Sequence, residues 1–319
     1  MNTSAGPITV IVPCRNAEGT LAEAMESVFA QSVKPLEILL IDDQSTDRSV
    51  EIARSFGPTV RVLKNPARGP GAARWLGVLE AKGKFIAFID ADDVIEPSKH
   101  ERQLAILENS DPFTLVHTGS VAYWPDGRRP AYQRTGAEQA VGRNCTQLVF
   151  ARNPVCGASS MLWRETILAL GNYDPDLFGT EDFGMNLVAS TRCEFIYVPE
   201  PLYRMRQHTT NITGRKAHMA YVHWLAQDKF RQQCPEAFGR LPADLVRQFM
   251  VEPVLRTVKE AYWRREPRDY RRLLDLAVRL DSTDPLIGKL WRRRWLPMSF
   301  LRVWDRLRSQ QRTLAPEAR

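Results

Sequence analysis

Short apolar runs alternate with helical patterns through the first hundred residues, and this alternation constrains the fold more than any other feature. The pattern is typical of repeated strand–helix units around a mostly parallel sheet. It predicts strands at residues 8–12, 36–41, 60–63 and 85–89, and helices from Thr20, at 46–56, at 72–81 and after Ser98. Ligands of such sheets bind beyond the carboxyl ends of the strands. We therefore expect a functional site where these four strands end.

The rest of the chain changes character twice. Past Asp111, four further runs predict strands of a mixed sheet, at residues 114–123, 159–163, 195–198 and 202–206. From residue 215 onward the pattern is helical, basic and rich in tryptophan. Two capping boxes are also predicted, Thr20 with Glu23 and Ser98 with Glu101, because a hydroxyl followed three residues later by a glutamate can satisfy two backbone amides at a helix start.

The net charge of +7 over 319 residues conceals two parts of opposite sign. Residues 1–214 contain 21 basic against 25 acidic side chains, and residues 215–319 contain 23 against 12. This shift predicts a boundary between a first domain, 1–214, and a helical basic region, 215–319. The two parts are expected to meet different partners.

Composition excludes several classes of protein. With 44% apolar and 25% charged residues, the chain is neither disordered nor fibrous. No run approaches the roughly 20 apolar residues that cross a bilayer, and the N-terminus has no secretory pattern. The five cysteines have no metal-ligand spacing and are interpreted as reduced thiols. These features predict a cytoplasmic protein.

Two pairs of aspartates follow predicted strands. Asp90 and Asp92 straddle one residue, and two such carboxylates can bind Mg²⁺ or Mn²⁺ together with phosphate oxygens and water. The alternative is a solvated acidic loop before the next helix. Asp42 and Asp43 end the second strand, where a carboxylate could accept a hydrogen bond from a nucleobase. Turn chemistry explains them equally well, since aspartate is favoured where strands end.

Two further segments precede predicted helices. Residues 69–74 (GPGAAR) form a glycine-containing loop whose amides, together with Arg74, could contact phosphates. Glu181 and Asp182 follow Thr180 at another helix start, where the helix dipole alone favours acids. The functional interpretation makes one of these two acids a general base, with a pKa raised by burial or by acidic neighbours.

Taken together, these motifs resemble the family 2 glycosyltransferases. The resemblance covers about residues 8–212 and rests on residues 8–18 (ITVIVPCRNAE), 40–47 (LIDDQSTD), 71–74 (GAAR), 83–93 (GKFIAFIDADD), 171–182 (GNYDPDLFGTED) and 203–208 (YRMRQH). It implies a GT-A type nucleotide-sugar-binding fold, a Rossmann-like mixed sheet flanked by helices, followed here by the helical basic extension.

The resemblance also implies roles for the matching positions. The catalytic base would be Asp182, supported by Glu181. The metal, Mn²⁺ or Mg²⁺, would be held by Asp92 with Asp90 and His208; for His208 a polar loop histidine is the alternative. Donor-binding positions would be Pro13, Arg15, Glu18, Asp43, Arg74 and Asp90, with Asp43 bonding the base. The implied reaction is an inverting displacement from a nucleoside-diphosphate sugar, with UDP-sugar favoured, onto a hydroxyl.

The sequence departs from the family pattern at two positions. Arg15 stands where members often carry tyrosine, and Trp75 follows Arg74 where they often carry asparagine. The Gln-x-x-Arg-Trp signature of processive synthases is absent from the sequence, which argues against a processive enzyme.

The C-terminal region suggests a partner. Residues 286–312 hold eight basic side chains and one acid, interleaved with tryptophan, phenylalanine and leucine. This composition suits a helix on an anionic membrane surface, on the inner face of the plasma membrane, beside a glycan or lipid-linked acceptor of a cell-surface polysaccharide or glycolipid pathway. The alternative is a helix that packs its apolar stripe on the protein itself. No nucleic-acid-binding module accompanies the arginines, so no nucleic-acid partner is expected.

Three other functions are alternatives to sugar transfer. A non-catalytic nucleotide-sugar-binding or scaffold protein would keep the same fold, although Asp92 and Asp182 are both retained. A phosphoacceptor receiver also places acids at strand ends, but it is much shorter and needs a partner lysine further on. A nucleotidyltransferase would need a glycine-rich basic signature after the first strand, and residues 13–18 do not supply it.

Overall fold

The computed structural model describes residues 6–127, 132–134, 141–208, 215–264, 267–292 and 294. The chain divides into two compact units. The first comprises residues 1–214 together with 225–241, and the second comprises residues 215–224 together with 242–319. Residues 225–241 therefore pack with the sheet-containing unit, whereas the charge pattern predicted a single break at residue 214.

A mixed sheet of nine strands forms the centre of the first unit. Its strands are β1 (Ile8–Cys14), β2 (Glu37–Asp42), β3 (Val60–Lys64), β4 (Phe85–Phe88), β5 (Val94–Ile95), β6 (Thr114–Tyr123), β7 (Tyr132–Arg134), β8 (Ser160–Trp163) and β9 (Glu194–Arg206). Their order is β3-β2-β1-β4-β8-β6-β9-β5, with β7 beside β6. Strands β1 to β4 are parallel, and β8 runs antiparallel to both β4 and β6.

Helices cover the sheet and bury its apolar strands. They are α1 (Leu21–Phe29), α2 (Ser49–Ser55), α3 (Pro70–Glu80), α4 (Lys99–Leu107), α5 (Thr146–Arg152), α6 (Arg164–Ala169) and α7 (Glu181–Ala189), followed by the second half of α8 (Lys216–Gln233) and by α9 (Pro235–Gly239). Consecutive residues of β1 and β2 have no exposed surface, as expected for parallel strands that are covered on both faces. The expected α/β fold with a mixed sheet is confirmed.

Most predicted strands are found within two residues of their expected ends. The two strands expected at 195–198 and 202–206 form one strand, β9, whose pairing with β6 shifts register at Thr118 and Gly119. The short elements β5, α5 and α6 were not predicted, because two to seven residues carry too little periodicity to show a pattern.

Both predicted capping boxes are wrong. Neither Thr20 nor Ser98 caps its helix with a side-chain hydrogen bond. Thr20 instead donates its hydroxyl to the backbone oxygen of Ala91 at 3.0 Å, and Glu101 accepts a hydrogen bond from Ser32 at 2.8 Å. Contacts with distant parts of the chain have displaced the local ones.

The second unit is helical. It contains the first half of α8, then α10 (Ala243–Val246), a π-helical turn (Arg247–Val251), α11 (Glu252–Arg264), α12 (Pro267–Leu280) and α13 (Pro285–Arg292). Its core includes Val254, Val258, Leu273, Leu274, Ile287 and Leu290. Among the described residues, no helix is long and apolar enough to cross a membrane. The predicted basic segment 286–312 lies outside the described residues after position 292, apart from Arg294.

Candidate active site

The carboxyl ends of β1, β2, β3 and β4 lie at one edge of the sheet because these strands are parallel. This arrangement brings together residues 13–18, 42–43, 65–74 and 90–93, as the sequence predicted. Pro13 is half-buried near the end of β1, and Arg15 follows in the exposed loop. The two strand-end aspartate pairs therefore border the same site.

Asp43 orders residues 65–69, the predicted donor loop, which precedes α3. Its side chain is buried, accepting hydrogen bonds from Asn65 Nδ2 at 2.9 Å and from the Gly69 amide at 3.1 Å. The Arg15 guanidinium, on a half-exposed side chain, lies 3.8 Å from Asp43 Oδ2. Arg15 is thus more accessible than Asp43, the residue that was predicted to bond the base. Asn65 was predicted to lie at the strand ends but not to bind Asp43, because a lone asparagine after a strand carries no motif.

Glu18 contacts a neighbouring loop rather than Asp43. Its carboxylate accepts from the Arg48 amide at 3.3 Å and lies 3.6 Å from the Arg48 guanidinium, just before α2. Asn16 bridges the same two loops by accepting from the Thr46 amide at 2.8 Å. Glu18 therefore fixes the loop that follows β1, and it touches neither Asp43 nor Arg74 in a described contact.

Arg74 joins the donor side to the start of α7. Arg74 is 4% exposed, and its guanidinium lies 2.6 Å from Asp90 Oδ1 and forms an ion pair with Glu181. Burial opposes the charge, but Asp90 and Glu181 raise the pKa of Arg74 above its ordinary value. Burial raises the pKa of Glu181 to about 7, with Arg74 opposing the rise and Asp182 adding to it. The buried carboxylate of Glu181 is thus occupied by its ion pair with Arg74.

The glycines of the predicted phosphate loop serve packing. A Cβ on Gly69 would lie 2.3 Å from the Phe178 ring, and a Cβ on Gly71 would lie 2.6 Å from the backbone oxygen of Asp174. Gly69 also has a φ of +98°, which glycine adopts without strain. The N-terminus of α3 is thus covered by residues 174–178.

Asp182 stands in the first turn of α7 with a partly exposed carboxylate. Its Oδ1 accepts from the Phe183 amide at 2.7 Å, and its Oδ2 accepts from the Gly157 amide at 3.3 Å. A Cβ on Gly157 would lie 2.5 Å from the Cβ of Asp182, so only glycine permits this approach. Residues 153–160 were predicted to shape the acceptor site, but nothing in the sequence indicates that Gly157 faces Asp182.

Asp92 and His208 form the exposed part of the site. His208 Nε2 lies 2.9 Å from Asp92 Oδ2, and the two side chains are 41% and 36% exposed. Asp90, the other predicted metal ligand, faces Arg74 instead. Within the described parts of the chain, no three His, Cys, Asp or Glu side chains converge as a metal site. The arrangement offers a hard cation one carboxylate and one imidazole.

The next aspartate, Asp93, had no predicted role of its own. Asp93 is 3% exposed and accepts from the Tyr203 hydroxyl at 2.5 Å and from the Arg206 amide at 2.7 Å. Arg206 Nε also donates to the backbone oxygen of Asp92 at 2.9 Å. These contacts attach the loop after β4 to the end of β9. Burial raises the pKa of Asp93 to about 8, with Asp90 and Asp92 adding to the rise.

Comparisons with known proteins find similarity to glycosyltransferases. Residues 9–158 match the family model described as glycosyl transferase family 2. The uncharacterized glycosyltransferase YibD of Escherichia coli is 39% identical over 114 residues, which are 35% of this chain and 33% of YibD. An uncharacterized glycosyltransferase of Haemophilus influenzae is 41% identical over 104 residues, 31% of this chain and 42% of that protein. The chain thus spans well under half the length of these relatives.

A solved structure shares the fold. Staphylococcus aureus TarS 1-349 in complex with UDP-GlcNAc superposes with a TM-score of 0.63 at 16% sequence identity, over 86% of this chain and 81% of that one. The same protein has also been solved with UDP, with a TM-score of 0.52 over 88% of this chain and 86% of that one, again at 16% identity.

Proposed function

We propose that this chain, whose residues 9–158 match the model of glycosyl transferase family 2, transfers a sugar from a nucleoside-diphosphate donor to a hydroxyl acceptor with inversion at the anomeric carbon. One observation carries the proposal. The carboxylate of Asp182, the Arg74–Asp90–Glu181 cluster and the Asp92–His208 pair lie around the same carboxyl edge of a GT-A type sheet. A base, a buried cation and a metal-binding pair are the groups that this reaction requires.

The donor is proposed to bind along the ends of β1 and β2. Pro13, Arg15 and Asp43 would contact the nucleoside, and Arg74 and Asp90 would lie near the ribose and the diphosphate. Glu18 would act by holding the loop that carries Arg15, since its contacts are with Arg48. UDP-sugars are the first donors to test, because TarS 1-349 shares the fold and was solved with UDP-GlcNAc.

The pair formed by Asp92 and His208 fits a divalent cation. The carboxylate suits Mn²⁺ or Mg²⁺, which would complete its ligand shell with phosphate oxygens and water, and the imidazole favours Mn²⁺ over the harder Mg²⁺. Asp90 would join them only by leaving Arg74, so we assign it to the ribose side first. When bound, the cation supplies charge neutralisation for the departing diphosphate.

Asp182 is proposed as the general base. Its carboxylate accepts the proton of the acceptor hydroxyl as the new bond from that oxygen to the anomeric carbon forms. The bond from the anomeric carbon to the donor phosphate oxygen breaks on the opposite face, and the electron pair leaves with the nucleoside diphosphate. Glu181 does not take this proton, because it is buried against Arg74. Arg74 then contributes positive charge near the leaving group.

The acceptor is proposed to be a glycan or lipid-linked molecule of the cell surface, with the protein on the inner face of the plasma membrane. The excess of basic residues at 286–312 supports a membrane contact. The described part of this segment fits the alternative equally well. In α13, Ile287 and Leu290 are buried in the core of the second unit, and Lys289 and Arg292 are exposed.

Thermal unfolding with a panel of nucleoside diphosphates tests the donor site. A ligand that binds only the folded state raises the unfolding temperature by mass action. We expect one nucleotide to stabilise the protein in the presence of Mn²⁺, and Asp92→Asn to lose the metal-dependent part of the shift. Stabilisation without any turnover would instead favour a non-catalytic nucleotide-sugar-binding protein. No shift with any nucleotide would contradict both functions.

A further inference from the structure

Lys229, in the second half of α8, forms two ion pairs with the loop that precedes α7. Its Nζ lies 2.6 Å from Asp174 Oδ2 and 2.9 Å from Asp176 Oδ2. Lys229 and Asp174 are each only 24% exposed, so this pair is partly shielded from solvent and from salt. Partial burial opposes the charge of the amine, but the hydrogen bonds to both carboxylates raise the pKa of Lys229 above its ordinary value.

Residues 174–180 form a hydrogen-bonded loop, so the position of Asp174 affects the positions of Glu181 and Asp182 at the start of α7. Asp174 accepts hydrogen bonds from two amides of the loop, Asp176 at 2.9 Å and Leu177 at 3.2 Å. Leu177 in turn accepts from the Thr180 amide at 3.2 Å. The next residue is Glu181, the first of the helix. Only these two tight turns separate the ion pair of Lys229 from Asp182.

Glycines stop the loop from moving toward the sheet. The backbone oxygen of Asp174 packs directly on Gly71, and the Phe178 ring packs directly on Gly69. A Cβ on Gly184 of α7 would lie 2.4 Å from Leu177 Cδ1, so that contact is also close. On these sides the loop is in close van der Waals contact with its neighbours, so it cannot move further toward them.

Packing is incomplete on the side of α8. A cavity of about 180 Å³ lies there, with Trp75, Tyr173, Lys229 and Phe230 among its lining residues. A cavity removes the contacts that its lining would otherwise make. Among the described residues on this side, the ion pairs of Lys229 are therefore the contacts best placed to keep the loop against α3.

We propose that Lys229, in the second half of α8, is a positioning residue for the segment 174–182, which carries the proposed base Asp182. The inference rests on the proposed function, since it assigns Lys229 to the transfer in which Asp182 is the base. Lys229 acts through Asp174 and touches neither substrate nor base. Loss of its charge frees the loop to move into the cavity and displaces Asp182 from Gly157.

Three variants test the role of Lys229. Lys229→Gln removes the charge, and Lys229→Arg keeps it. Lys259→Gln is a matched control in the second unit, where Lys259 Nζ lies 2.6 Å from Asp284 Oδ2 on a similarly shielded lysine. If Lys229→Gln fails to fold, Asp176→Asn replaces it, because this change removes only the outer ion pair, on a carboxylate that is 77% exposed.

Hydrogen exchange provides a measurement that does not depend on activity. The amides of Leu177, Thr180 and Gly184 donate hydrogen bonds within the loop and the first turn of α7. We expect these amides to exchange about tenfold faster in Lys229→Gln, and at the wild-type rate in Lys229→Arg and Lys259→Gln. Unchanged exchange in Lys229→Gln would overturn the proposal.

Kinetics tests the consequence for catalysis. Because a displacement of about 1 Å can cost a hundredfold in rate, we expect kcat to fall about ten- to a hundredfold in Lys229→Gln. The Kd for the nucleoside diphosphate should stay at the wild-type value, and Lys229→Arg should restore kcat. Faster exchange with an unchanged kcat would overturn the role in positioning. A wild-type protein without transfer activity would contradict the proposed function, and the exchange rates would still decide whether Lys229 holds the loop.

Discussion

Arg74 and Glu181 lie 107 residues apart in the sequence and form a buried ion pair in the structure. Arg74 belongs to α3, which follows the predicted donor loop, and Glu181 directly precedes the proposed base. The second guanidinium contact, to Asp90, reaches the loop that carries Asp92. One buried cation therefore connects the loop before α3, the loop that carries Asp92 and the first turn of α7, where the donor, the metal and the base are proposed to lie.

Glu181 should make stability depend on pH. Its pKa rises from 4.5 to about 7 on folding, because burial outweighs the attraction of Arg74. An acid with a raised pKa binds more protons in the folded state, so its contribution is full below about pH 4.5 and is lost as the pH rises through about 7. We expect the free energy of unfolding of wild type, relative to Glu181→Gln, to fall over this window in urea denaturation. A rise with pH would show that Arg74 outweighs burial.

The sequence allowed the fold and the general location of the site to be predicted, because both depend on periodicity and on strand ends. Strands β1 to β4 follow short, mainly apolar runs, and the acids at the ends of β2 and β4 had to meet at one edge. The partners within the site could not be predicted. Which carboxylates pair with Arg74, and that Gly157 faces Asp182, depend on tertiary contacts between distant segments.

Gly157→Ala should impair catalysis while leaving donor binding intact. The new methyl group would meet the Cβ of Asp182 at 2.5 Å, so the base or the loop must shift. A shift of this size predicts a fall in kcat of about a hundredfold. Gly239→Ala is the control, because a Cβ there meets nothing within 4 Å. Steady-state kinetics with nucleotide titrations would contradict this account if both variants behaved like wild type.

Asp43→Asn should loosen the donor loop. The two carboxylate oxygens of Asp43 accept from Asn65 and from the Gly69 amide, and an asparagine would present a donor to one of them. We expect a loss of about 1–3 kcal/mol in the free energy of unfolding and weaker nucleotide binding. Asp42→Asn is a matched control, since Asp42 accepts from Ser45 through Oδ1 and an asparagine can keep that bond. Equal effects of the two variants on nucleotide affinity would count against the role of Asp43.

His208→Gln should raise the concentration of Mn²⁺ needed for activity. His208 is half of the exposed pair with Asp92, and a glutamine has no ring nitrogen to take the place of Nε2. We expect the half-maximal Mn²⁺ concentration to rise about tenfold or more, with kcat recovering at high metal. Activity of wild type and variant that responds neither to Mn²⁺ nor to a chelator would contradict a role for a divalent metal.

Nucleoside diphosphate release from a panel of nucleotide sugars, compared between wild type and Asp182→Asn, tests the central claim most directly. We expect wild type to release nucleoside diphosphate from one donor class in the presence of acceptor. Asp182→Asn should bind that nucleotide with unchanged Kd and turn over about 10²- to 10⁴-fold more slowly. Turnover by Asp182→Asn at the wild-type rate, or equal loss of binding and turnover, would contradict the assignment of Asp182 as the base.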